Sequence, residues 1–149
     1  MLSNATTVPL TLFACVFIAI WTAAQANDFK TSIEILKEMK AHNCEPTIMS
    51  YNGVIAALSS CGRADEAVSV FREMKKEHPN LVPDFTSFFH LSGAIRKVRG
   101  DEEKLALLWR VYAMMGPRER QVDVGGRVIE ALILAYGALG HFEEAMNIF

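Results

Sequence analysis

A ten-residue pattern recurs in this chain and constrains its fold more than any other feature. Gly62-x-x-Asp65-Glu66-Ala67-x-x-x-Phe71 returns 78 residues later as Gly140-x-x-Glu143-Glu144-Ala145-x-x-x-Phe149. Gly100 with Asp101-Glu102-Glu103 and Trp109 falls between them, 38 residues after Gly62. Upstream, Lys37-Glu38-Met39-Lys40 precedes its counterpart Arg72-Glu73-Met74-Lys75 by 35 residues. Self-similarity at this period marks a stack of supersecondary units, each burying its apolar face on its neighbours. The spacing divides the chain into about four such units. A single enzyme core does not produce it.

Each unit reads as two helices. In the stretch Ser50 to Lys75, the residues Tyr51, Val54, Ile55 and Leu58 lie at i, i+3, i+4, i+7, one helical face. Gly62 supplies the left-handed residue that ends that helix. Ala67, Val70, Phe71 and Met74 then line a second stripe. Before this pair, Asn27 or Asp28 can cap a helix with Phe29, Ile33, Leu36 and Met39 on one face, running to about His42. Glu45-Pro46 stops it, because the residue before a proline is pushed out of the helical region.

Beyond it, Pro79 and Pro83 mark a connector, and Asp84 or Thr86 caps a helix carrying Phe88, Leu91, Ile95 and Val98. Gly100 is expected to end that helix. Asp101, Glu102 and Glu103 open the next, where the helix dipole favours anions. Its expected stripe is Leu105, Leu108, Trp109 and Tyr112, and Gly116-Pro117 breaks it. Residues 117–127 read as a charged connector. Ile129, Leu132, Ile133 and Tyr136 start a further helix that Gly140 ends.

Charge divides the chain unevenly. Residues 1–26 contain no Asp, Glu, Lys or Arg. Three readings are open for the apolar run 10–24. It resembles a secretory signal, with Ala24-Gln25-Ala26 as a small-x-small site but no basic residue ahead of it. As a membrane span it is short of the roughly 20 residues a bilayer needs. As an uncharged helix it suits burial as the first helix of the array. The remainder, 27–149, reads as the repeat array, truncated in its last repeat. The formal charge of −2 argues against a strongly basic nucleic-acid binder, yet residues 96–127 hold 8 basic against 5 acidic side chains. Cys15, Cys44 and Cys61 form no Cys-x-x-Cys, and the four histidines lack ligand spacing, so no metal or other cofactor is expected. No nucleophile elbow, phosphate-binding glycine loop or His-Glu-x-x-His is present. The paired carboxylates Asp65-Glu66 and Glu143-Glu144 recur with the repeat and read as dipole partners, so no enzyme activity is expected.

The sequence resembles the pentatricopeptide repeat proteins. The residues that carry the resemblance are Ser50-Tyr51-Asn52, Ile55, Ala57-Leu58, Gly62-Arg63, Asp65-Glu66-Ala67, Phe71, Glu73-Met74-Lys75 and Pro83-Asp84. Tetratricopeptide repeats are the nearest confusable family; the Tyr-Asn pair and the Met-Lys…Pro-Asp ending favour the pentatricopeptide form. The resemblance implies an all-α, right-handed α-solenoid of antiparallel helix pairs. It implies binding of single-stranded RNA, roughly one base per repeat, in organellar RNA processing, stability or translation, and a mitochondrial or plastid location. The signal-like start would suit a plastid reached through the secretory route, and membrane contact would follow only if residues 10–24 persist as an anchor. The competing class is a protein–protein interaction scaffold, since stacked helix pairs also form peptide grooves.

Site residues follow from the same resemblance. Asn52 is placed at the base-reading position and Asp84 as its partner, a combination that implies uracil. Met49 is placed where an apolar side chain wedges between bases. An Asn amide offers both a donor and an acceptor to a base edge. The other repeats offer Phe17 with Thr47, Phe89 with Asp123 or Gly125, and Glu130. Phe stacks but cannot read an edge. Arg96, Lys97, Arg99, Arg118, Arg120 and Arg127 are the candidate phosphate contacts. Each has a plain alternative. Asn52 can bond locally, Asp84 can be an N-cap, and Arg96, Lys97 and Arg99 sit where a helix C-terminus attracts cations.

Overall fold

A computed structural model describes residues 10–147, without side-chain detail at residues 10–13, 122–124, 142 and 145. Phe149 and the Asp123 side chain, both singled out above, lie outside the described residues. Among these, eight helices follow one another and no strand occurs: α1 Leu10–Gln25, α2 Phe29–Ala41, α3 Ile48–Ser60, α4 Ala64–Glu77, α5 Phe85–Arg96, α6 Asp101–Met114, α7 Val122–Ala138 and α8 Phe142–Met146. Consecutive helices pair as α1–α2, α3–α4, α5–α6 and α7–α8. The odd-numbered helices stack on one another in one layer, α1 on α3, α3 on α5 and α5 on α7, while α2, α4 and α6 each reach the next pair. This is an all-α solenoid of helix pairs.

The turns inside the pairs explain the period. Asn27, Gly62 and Gly140 hold φ of 56°, 69° and 78° at the α1–α2, α3–α4 and α7–α8 turns. One residue in the left-handed region reverses the chain, and Gly or Asn adopts it at least cost. Asn27 thus stands 35 residues ahead of Gly62 in the same role, which makes α1–α2 a complete pair. The compositional boundary at residue 26 falls in its turn. Ile20, Ala23 and Ala24 are buried, and α1 packs on α2 and α3. No helix among the described residues is long and apolar enough to cross a membrane.

Caps fix the helix starts. Asp28 accepts from the Thr31 N–H at the start of α2, and Thr47 and Asp84 each form a reciprocal capping box, with Ser50 and Ser87. Tyr51, Val54, Ile55 and Leu58 are fully buried, as are Ala67, Phe71 and Met74 of α4, while Val70 is half-buried. Phe71 meets Phe88 of the next pair edge-on at 5.6 Å between ring centres. Gly53 lets α1 approach α3: a Cβ there would lie 2.5 Å from Ile20 Cγ2. In the outer layer Lys40 of α2 pairs with Glu73 and Glu77 of α4, and Arg110 of α6 with Asp65 of α4. Burial alone would lower the Lys40 pKa, but its two carboxylate partners raise it.

Three expectations need correction. Gly100 does not end α5. That helix stops at Arg96, and Gly100 is extended (φ −167°) as the N-cap of α6. The buried stripe of α6 is Leu107, Leu108 and Val111; Trp109 lies at the surface, donating from Nε1 to the Tyr136 hydroxyl at 2.6 Å. The connector ends early, because α7 starts at Val122, and its buried positions are Val128, Leu132 and Ala135.

Candidate nucleic-acid interface

The sharpest polar cluster joins α3 to the start of α5. Asn52 follows the buried Tyr51 and is itself 4% exposed. Its Nδ2 donates to Asp84 Oδ1 at 3.0 Å, and its Oδ1 accepts from the Ser87 hydroxyl at 2.7 Å. The same Asp84 oxygen accepts the Ser87 backbone N–H at 2.9 Å. Asp84 therefore caps α5 and holds Asn52 at once. Burial alone would raise the Asp84 carboxyl; hydrogen bonds from the Ser87 N–H, the Asn52 amide and the Ser87 hydroxyl outweigh it and hold the group below its ordinary 3.8.

That depression sets a pH dependence. A carboxylate whose folded pKa is lowered contributes stability that is present above the unfolded value and is lost as pH falls through the folded one. Wild type should therefore lose stability relative to Asp84→Asn as pH drops from above 3.8 to below it. Asn is an equally good N-cap without a charge to titrate. Urea midpoints of the two proteins across that window measure it, and parallel curves would show that Asp84 contributes nothing through its charge.

Aromatic side chains flank the Asn52 strip. Met49, 53% exposed, lies one turn ahead of Asn52 on α3. On α1, Phe17 stacks on Trp21 at 6.3 Å. On α5, Phe85 stacks on Phe89 at 6.0 Å, both half exposed. Phe89 follows the buried Phe88 as Asn52 follows Tyr51, and Phe17 stands 35 residues before Asn52. The aligned positions on three stacked helices thus carry Phe17, Asn52 and Phe89, of which Asn52 alone can read a base edge.

The six candidate phosphate contacts have different surroundings. The Lys97 ammonium donates to the carbonyls of Ser59 at 2.7 Å and Ser60 at 3.2 Å, capping the C-terminus of α3. Its third N–H is not used by either carbonyl. Arg120 lies over the Tyr112 ring at 4.6 Å. Arg127 lies 5.8 Å from the Phe89 ring centre and 3.5 Å from Glu130. Arg96 and Arg127 border one cavity of about 300 Å³ between α5, α6 and α7. Arg99 and Arg118 are exposed in connectors.

Two residues that matter here were not singled out from sequence. Ser87 is signalled by the box Asp84-x-x-Ser87, which repeats Thr47-x-x-Ser50. Glu119 had no local signal; it is 7% exposed, accepting from Lys75 Nζ at 2.8 and 2.7 Å and from the Gly116 N–H at 2.7 Å.

Comparison with known families agrees with this geometry. Residues 42–75, spanning α3 and most of α4, match the family described as PPR repeat, and so do residues 130–149. The chain carries pentatricopeptide repeats. Similar proteins of Arabidopsis thaliana include a pentatricopeptide repeat-containing protein whose name places it in the mitochondrion, 27% identical over 135 residues, 89% of this chain and 26% of the relative. Two other Arabidopsis pentatricopeptide repeat-containing proteins are 29% identical over 68% of the chain and 28% over 78%, covering 15% and 14% of their own lengths. The chain thus spans about a quarter or less of the length of the relatives it matches.

Proposed function

We propose that this pentatricopeptide array binds single-stranded RNA, without a catalytic step of its own, in RNA processing, stability or translation within a mitochondrion or plastid. The mitochondrial name of one relative supports the location. The observation that carries the reading is the Asn52–Asp84 pair. Asn52 uses one of its two amide protons on Asp84 and one lone pair of Oδ1 on Ser87. One donor and one acceptor site remain, the pattern that complements a uracil edge. Met49 and the flanking aromatics offer faces on which bases can stack, and stacking tolerates any base. Arg96, Arg99, Arg118, Arg120 and Arg127 are the cations proposed for phosphate contact.

Fluorescence anisotropy with labelled single-stranded homopolymers tests the reading. Affinity should fall as salt rises, with a slope of about −0.7 per phosphate contact. Asn52→Ala should weaken oligo-uridylate roughly tenfold, the loss of hydrogen bonding at one base, and the other homopolymers less. Absent or salt-independent binding overturns the RNA reading and leaves a protein scaffold; equal loss on all four homopolymers overturns base reading at Asn52.

A further inference from the structure

We infer that Ser87 is a specificity-determining residue of this array, positioning the Asn52 amide from the neighbouring helix so that it distinguishes uracil from cytosine. The inference rests on the base reading proposed for Asn52.

A primary amide carries its donor and acceptor side by side. Uracil presents an acceptor at O4 and a donor at N3; cytosine presents a donor at N4 and an acceptor at N3. The order and plane of the amide atoms therefore decide which base fits. Asp84 Oδ1 holds Nδ2 at 3.0 Å and fixes which end is the donor, because a flipped amide would set oxygen against carboxylate oxygen. One anchor leaves the amide plane free to turn about its last side-chain torsion. The second anchor is the Ser87 hydroxyl, whose single proton lies between Asn52 Oδ1 at 2.7 Å and Asp84 Oδ1 at 3.0 Å, the shorter contact being the one to Asn52. With both bonds made, the remaining N–H and the remaining lone pair share a fixed plane.

The hydroxyl is itself held. Ser87 is fully buried, and its oxygen accepts the Asp84 N–H at 3.2 Å as the return half of the capping box. The reader on α3 is thus aimed by the first turn of α5, and a device that starts a helix also orients a side chain on the helix before it. The register along the stack makes this specific. Ser50 forms the same box with Thr47 on α3, yet the α1 residue aligned with Asn52 is Phe17, which has no polar atom for Ser50 to hold.

Ser87→Ala and Ser50→Ala give a matched pair, since each removes the return half of one capping box and only Ser87 touches a reader. The readout is the ratio of oligo-uridylate to oligo-cytidylate affinity in the full chain. A purely structural loss lowers both affinities together and leaves that ratio alone. Wild type should prefer uridylate by about tenfold, the discrimination of one two-bond contact. Ser87→Ala should bring the ratio close to one, and Ser50→Ala should leave it at the wild-type value. If Ser87→Ala does not fold, Ser87→Cys keeps the size with a weak donor and should lower the ratio likewise. A wild-type preference that Ser87 variants retain overturns the role of Ser87 while base reading at Asn52 stands. A wild type without preference overturns both. An equal fall in the Ser50 variant overturns positioning in favour of a general effect of the capping box.

Discussion

Phe71→Ala is expected to destabilise the protein by about 3–5 kcal/mol, the range for deleting a fully buried aromatic ring. The ring is fully buried on α4 and meets Phe88 of α5 edge-on at 5.6 Å, a geometry that adds about 0.5–1.5 kcal/mol beyond area alone. A whole domain is stable by only about 5–15 kcal/mol, so this one ring is a large share. In a stack held by nearest-neighbour interfaces, the lost contact lies between pairs as well as within one. The transition should therefore broaden as the two sides of the α4–α5 contact begin to unfold separately. Urea denaturation followed by circular dichroism measures both effects. Val70→Ala, at a half-buried position on the same helix, should cost well under half as much. Equal costs would mean that the α4 stripe is not what joins the pairs.

How much of this was legible in the sequence depended on how many neighbours a helix has. The stripe of α3 was readable because Tyr51, Val54, Ile55 and Leu58 keep helical spacing and every one is fully buried. The starts of α2 and α5 were readable because Asp28 and Asp84 cap through local bonds that a short sequence window contains. The α6 stripe was misread because a Trp at helical spacing reads as core. Its N–H needs a partner, and the Tyr136 hydroxyl on α7 supplies one at the surface. Gly100 was misread because glycine suits both a left-handed stop and an extended N-cap. α5 ends at Arg96 instead, with Lys97 as its C-cap. In the candidate interface, the adjacency of Asn52 and Asp84 was expected from family resemblance; the Ser87 anchor was not, since it joins residues 35 apart that only the stacking brings together.

Glu119→Ala carries the other large expected effect, about 2 kcal/mol of destabilisation. Losing one partner of a buried ion pair costs about 3–5 kcal/mol when the charge left behind stays buried. Lys75 is 27% exposed and regains part of its hydration, which brings the figure down. The carboxylate also accepts the Gly116 N–H at 2.7 Å, so its loss frees the first turn of the connector. That connector runs from Met115 to Gln121, and its far end is the N-cap of α7. Glu119 is the only side chain there that reaches back to α4 among the described bonds. Its pairing with Lys75 ties the α3–α4 pair to the entry of α7, the helix that carries Arg127 over Phe89. Glu130→Ala, which removes the exposed Arg127–Glu130 pair at 3.5 Å, should cost at most about 1 kcal/mol, as surface pairs do. Salt separates the two. The surface pair's contribution should fade at high ionic strength, while that of Glu119, shielded from water, should persist. A Glu119→Ala cost that fades with salt to the level of Glu130→Ala would show that the connector is held by something other than this pair.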